Sequence, residues 1–276
     1  MNAPLDTDSI VAVATSSAAI VHRARAASRV AEHDELAEET PVALEYNGIA
    51  HATMLATPSD LEDFAYGFSL TEGIVGSPAD ILDSYIEPRA NGIVAHIEIA
   101  VECEARLKDQ RRMLAGRTGC GLCGKVSLEH VVRDIGPVRY APIVRLAAIH
   151  RVARQMRERQ ALHRMTGATH AAGWALANGE LLEVREDVGR HNALDKLVGA
   201  LVRREAGMSQ GFVLVSSRAS YEMVQKAAAA GIAVLAAVSA PTALAVRLAK
   251  DAGVTLIGFL RGDECVIYSH AERVAA

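Results

Sequence analysis

Aromatic residues make up only 4% of this 276-residue chain, with a single Trp. Its core must therefore be filled by aliphatic side chains carried on helices and strands. Long apolar runs are lacking too. The stretch 227–240 is bounded by Lys226 and Pro241 and interrupted by Gly231 and Ser239, short of the roughly 18 apolar residues that a membrane span needs. Asp6 and Asp8 stand where a secretory signal would carry Lys or Arg, so the expectation is a cytoplasmic protein with no membrane partner. No excess of positive charge is present: 29 Lys and Arg against 33 Asp and Glu leave a net charge of −4. That balance excludes a general nucleic-acid binder. Cysteine is scarce, and Cys103, Cys120, Cys123 and Cys265 are too few to staple a chain of this length, so the close pair among them points to metal or redox chemistry. What the chain has is hydrophobic residues, half of the total, enough to bury a sizeable core.

Residues 1–40, rich in Ala, Ser, Arg and Glu, read as a flexible N-terminal arm. Order is expected to begin with Val42–Tyr46 and Ile49–Leu55, two apolar alternations separated by Asn47-Gly48, the strongest short hairpin signal. Thr57-Pro58-Ser59-Asp60 then caps an amphipathic helix ending near Glu72-Gly73, and Ile81–Glu87 with Ile93–Val101 forms a second hairpin. These elements, with the cysteine loop that follows, make a small α+β domain over 41–141. From 142 to 276 a larger α/β domain is expected. It opens with one long helix from about Pro142 to Met165, with Ile143, Leu146, Ile149, Val152, Ala153 and Met156 on one face. A third hairpin (His170–Leu176, Leu181–Val184) and a helix over 191–205 follow. A β-α-β-α-β run then ends at Thr255–Phe259, which implies parallel strands with helical crossovers.

Charge is unevenly spread. Residues 106–164 hold fourteen Lys or Arg and four Asp or Glu, a basic island that is either a solvated helix face or a surface for an anion or an acidic partner.

Three groups of residues could carry chemistry. In Gly119-Cys120-Gly121-Leu122-Cys123-Gly124 the glycines leave the thiols uncovered, while Arg117 and Lys125 favour the thiolate. Half a zinc site, a redox dithiol and a nucleophilic sulfur or acyl carrier all fit. His96-Ile97-Glu98 upstream gives only a poor match to a zinc deaminase signature, because Gly119 replaces its Pro and His96 lies in a strand-like run. The second group joins Thr166–Ala172, including His170, to Glu186–Ala193, including Asp187, Arg190 and His191. Polar residues this dense, at the ends of a strand and a helix, suit a polar ligand; the plainer reading is a helix cap by Asp187 with an Arg190 ion pair. The third comprises Ser216–Ser220, Ser239–Thr242 and Gly258–Glu264, each following a strand where α/β sheets place ligands.

Taken together, Leu44–Gly48, GCGLCG, TGATHAA, EDVGRHNALDK, SSRASYEMVQKAAAAGI, SAPTALA and GFLRGDE resemble the formate dehydrogenase accessory sulfurtransferase (FdhD) family, in the right order from about Pro41 to Arg273. Gly167-Ala168 and Ser217 depart from the family pattern by small-for-small changes. The resemblance implies a fold similar to cytidine deaminase without its zinc, hence no metal, a three-layer α/β domain preceded by the smaller α+β one. It implies that persulfide sulfur passes from a cysteine desulfurase through Cys120, assisted by Cys123, to the molybdenum or tungsten bis-pterin guanine dinucleotide that matures formate dehydrogenase, and that the protein is a homodimer. Phe259, Leu260, Arg261, Gly262, Asp263 and Glu264 are then the expected cofactor-binding loop, with His170, Asp187, Arg190 and His191 in the same pocket. The competing reading is a non-enzymatic chaperone that binds cofactor or apo-dehydrogenase and uses its cysteines for zinc or docking.

Overall fold

The computed structural model describes residues 13–26, 28–108 and 135–276. Cys120, Cys123 and most of the first half of the basic island lie outside them.

The N-terminal region is the first correction. Strands β1 (Ser16–Arg25) and β2 (Ser28–Ala37) pair antiparallel over their full length, from Ser16 opposite Ala37 to Arg25 opposite Ser28. Small and charged residues hide this ribbon from a hydrophobicity pattern, since β pairing is made by backbone groups and tolerates alanine.

Asn47 and Gly48 both take positive φ, +49° and +74°, and turn β3 (Thr40–Tyr46) tightly into β4 (Ile49–Ala56). With β5 (Ile81–Arg89) and β6 (Gly92–Ile99) they form a sheet of order β4-β3-β6-β5. Its Pro88 sits on the edge strand, where a missing N–H costs no ladder bond. Helix α1 (Leu61–Thr71) covers one face, burying Phe64, Ala65 and Phe68 against Val42, Leu44, Ile93 and Ile97. The expected Asp60 cap is not made. Asp60 takes φ +52° without a side-chain cap bond, and its carboxylate instead lies 3.6 Å from Arg185.

After β7 (Val144–Arg145), the expected single long helix is broken at Gln160 into α2 (Leu146–Arg159) and α3 (Ala161–Thr166). The carboxylate of Glu186 accepts the backbone N–H groups of Leu162 and His163 at 2.9 and 2.8 Å, holding a second helix start where continuation was predicted. Ile143, assigned to the buried face, is 68% exposed, while Ala148, Ile149, Val152 and Met156 are buried.

The second sheet contains β8 (His170–Leu176), β9 (Leu181–Asp187), β10 (Gly211–Val215), β11 (Val234–Ala237), β12 (Thr255–Arg261) and β13 (Glu264–Ile267), in the order β13-β12-β11-β10-β8-β9. The three strands β10, β11 and β12 are parallel, and β8 and β13 flank them antiparallel. Period-2 alternation sends Phe212, Leu214, Val234, Ala236 and Ile257 to α2 on one face. Val213, Val215, Leu235, Ala237 and Leu256 go to the other, under α4 (Arg190–Arg203), α5 (Tyr221–Ala229) and α6 (Ala243–Asp251). This is the three-layer α/β arrangement.

Helices α1 and α4 weld the two sheets together. A Cβ on Gly67 would stand 1.7 Å from the Asp195 carbonyl oxygen, and one on Gly199 would stand 1.7 Å from that of Asp63. Only glycine permits so close a crossing. A short pairing of Val274–Ala275 with β7 closes the C-terminus.

Candidate functional site at the sheet edge

Strands β10, β11 and β12 end, and antiparallel β8 begins, at one edge of the six-stranded sheet. Backbone bonds tie their loops into a row. Ser216 N–H donates to Ala171 O at 2.9 Å, Ser239 N–H to Ser217 O at 3.4 Å, and Phe259 N–H to Ser239 O at 3.2 Å. The three strand-end groups singled out in the sequence, with the start of the TGATHAA strand, therefore share one rim. The first turns of α4 and α5 open onto it.

Asp187 is fully buried and its carboxylate is engaged on all sides. Lys196 Nζ stands 2.6 Å away, and the Thr57 N–H, Gly189 N–H and Asn192 Nδ2 donate to it at 3.0, 2.7 and 3.0 Å. Burial pulls the Lys196 ammonium below its ordinary value, with Asp187 opposing. Asp187 thus anchors the β9–α4 turn instead of facing a ligand, and its ion pair is with Lys196, not Arg190. One turn further, Asp195 accepts from Thr71 Oγ1 at 2.6 Å and pairs with Lys226 at 2.9 Å. Burial raises the Asp195 carboxyl, with Lys226 opposing. For Lys226, burial works downward but Asp195 and Glu72 prevail, and the ammonium is held above its usual range.

The rim above this network is less saturated. Arg190 Nε and Ser220 Oγ are buried atoms with no hydrogen-bond partner among the described residues. His191 Nε2 lies 2.8 Å from Glu222 Oε2, within ion-pairing reach although not aligned for a straight hydrogen bond. Burial works to raise Glu222, but His191 and Lys226 outweigh it and hold the carboxyl low. Half-buried His170 is pushed below its ordinary value, first by burial and then by the positive charges of Arg190, His163 and His191. Arg190, the imidazoles of His163, His170 and His191 and the unpartnered donors lie along this rim, an arrangement that can receive an anion. Glu222 and His163 went unnoticed in the sequence because only the tertiary fold brings them to His191 and His170. Thr166, Gly167 and Thr169 serve the end of α3 and its anchor: Thr166 Oγ1 donates to Leu162 O at 2.9 Å, Gly167 ends α3 at φ +70°, and Thr169 Oγ1 donates to the Glu186 carboxylate at 3.0 Å.

The expected loop Phe259–Glu264 is a β-hairpin. β12 continues to Arg261, and Gly262-Asp263 turns the chain into β13, with Arg261 opposite Glu264. A register shift between Gly258 and Arg261 places Phe259 at φ +54°, and the residue is 37% exposed. The Arg261 guanidinium lies 5.9 Å from the ring centroid. Leu260 points the other way, 1% exposed within the α2 core, so it supports the hairpin and contacts no ligand. Asp263 is exposed and 3.5 Å from Arg154.

Elsewhere, His96 sits between Glu87 and Glu45 at 2.7 and 3.5 Å. No three His, Cys, Asp or Glu side chains are grouped to hold a metal among the described residues, and none of their helices is long and apolar enough to cross a membrane. Burial raises the thiols of both Cys103 and Cys265, which leaves them poor nucleophiles.

Comparison with known proteins gives a consistent result. The sequence pattern of the FdhD/NarQ family matches residues 37–275. The chain is 60% identical over 245 residues to the sulfur carrier protein FdhD of Bordetella bronchiseptica, covering 89% of each chain. It is 57% identical over 260 residues to that of Cupriavidus necator, covering 94% of this chain and 90% of the relative. The crystal structure of a candidate formate dehydrogenase accessory protein from Desulfotalea psychrophila superposes with a TM-score of 0.75 at 24% identity, over 95% of this chain and 100% of the other. At that identity the likeness speaks for the fold.

Proposed function

This chain belongs to the FdhD/NarQ family, and on that footing we propose that it is a sulfur carrier serving formate dehydrogenase. Cys120, assisted by Cys123, takes persulfide sulfur from a cysteine desulfurase. The recipient is a molybdenum or tungsten bis-pterin guanine dinucleotide, bound as cargo by a cytoplasmic homodimer. In the loading step the Cys120 thiolate attacks the outer sulfur of the donor persulfide. A new S–S bond forms at Cys120, the donor's S–S bond breaks, and the donor cysteine leaves as thiolate, with no net oxidation.

The observation that supports cargo binding at the rim is the pair of buried donors without a partner among the described residues, Arg190 Nε and Ser220 Oγ, on the same sheet edge that carries the exposed Phe259 further along. A diphosphate satisfies both donors and the first-turn amides of α4 and α5. The Phe259 ring offers a stacking surface for guanine, Arg261 a phosphate partner, and the carboxylates of Asp263 and Glu264 can accept from guanine N1–H and its amino group. Leu260 and Asp187 hold this surface from behind.

Two measurements test the reading. Mass spectrometry after incubation with desulfurase and cysteine should show added mass of one sulfur atom, lost in Cys120→Ala and kept in Cys265→Ala. Calorimetry with GDP should show binding that Arg261→Ala weakens by roughly 1.5–3 kcal/mol. GDP binding without sulfur uptake would favour a cofactor chaperone, and the absence of both GDP binding and sulfur uptake would refute the proposal.

A further inference from the structure

We propose that the β1–β2 ribbon of one subunit docks on the open, acidic face of the β4-β3-β6-β5 sheet of a second copy of this chain, with Arg25 and Arg29 meeting Asp83 and Glu98. The inference rests on the homodimer reading above and adds to it the two surfaces that meet.

The ribbon needs a partner. Among the described residues its strands pair only with each other, and an isolated two-stranded hairpin is marginal in water. Within its own chain β2 touches α3, yet Ile20 is 70% and Val30 61% exposed. Around its tip, Arg23 pairs with Glu32, whereas no described residue forms an ion pair with Arg25 or Arg29. Ten residues per strand extend the ribbon by about 33 Å. Its base adjoins β3.

The sheet face needs a cation. α1 covers one side; on the other, Asp83 stands directly opposite Glu98 in the β5–β6 register. Like charges placed so destabilise a sheet unless something positive separates them. Beside them Tyr85 stacks on His96 with ring centroids 4.4 Å apart, and Asn47, Asp83, Tyr85, His96 and Glu98 line a depression of about 510 Å³. His96 is already held by Glu87 and Glu45, so it does not neutralise Asp83 or Glu98. Two-fold symmetry uses the complementary contact twice.

Light scattering and sedimentation of the full chain test this. The wild type should be a dimer. Arg25→Glu with Arg29→Glu, and separately Asp83→Lys with Glu98→Lys, should each weaken dimerisation about tenfold or more, and the quadruple variant should recover it, because the charge pairing is restored in reverse. Circular dichroism confirms that each variant is folded. A monomeric wild type would overturn both the homodimer reading and this one. A dimer unaffected by either double variant, or weakened by both without recovery in the quadruple, would overturn the surfaces alone.

Discussion

The inner side of helix α4 and its N-terminal rim treat charge in opposite ways. Along its inner side, Asp187 with Lys196 and Asp195 with Lys226 are buried, paired and further hydrogen-bonded to Thr57, Asn192 and Thr71. At its N-terminal rim, Arg190 keeps a buried donor without a partner among the described residues, His191 Nε2 lies 2.8 Å from Glu222 without an aligned hydrogen bond, and His170 is crowded by Arg190, His163 and His191. Saturated buried polar groups fix the chain, whereas unsaturated ones at a surface invite a ligand. Motif density alone does not separate the two, since Asp187, Arg190 and His191 are near neighbours in one sequence block.

Breaking the saturated side should have the largest effect. Lys196→Met leaves the Asp187 carboxylate buried without its cation, and should cost about 3–5 kcal/mol in chemical denaturation. Gly199→Ala drives a methyl into the Asp63 carbonyl and should cost about 3 kcal/mol by the same measurement, because α1 must move off α4. The rim should behave differently. Arg190→Ala is expected to change stability by less than about 0.5 kcal/mol while weakening GDP binding by roughly 1.5–3 kcal/mol in calorimetry. Equal losses in stability and binding would erase the contrast between the inner side of the helix and its N-terminal rim.

The smallest effect sharpens the comparison through pH. His170 is held below its ordinary value, so it is mostly neutral near neutrality, and a bound diphosphate favours its protonation. GDP affinity should therefore rise severalfold from about pH 8 to about pH 6, with proton uptake measurable by calorimetry in buffers of different ionisation heat. His170→Asn should remove that uptake beyond what GDP itself contributes. Without ligand the sign reverses. A depressed folded-state value gives stability that is present above the ordinary histidine range and lost as pH falls through it.

The sequence by itself determined the elements whose signals are local. Asn47-Gly48 set a hairpin because both positions need positive φ, and the β-α-β-α-β run was legible because each strand is a short apolar block between helical periods. The rim could also be anticipated, since parallel strands must end their loops at one edge. Tertiary structure decided which polar residues spend their charge inside. Asp187 and Leu260 sit within motifs that read as binding segments, yet one is consumed by Lys196 and the other by the α2 core, and no local pattern states which way a side chain at a strand end will turn. It decided the break at Gln160, which depends on Glu186 arriving from β9. It decided the ribbon as well: β1 and β2 hold each other through backbone groups that every residue carries, so their pairing leaves little trace in the identity of the side chains.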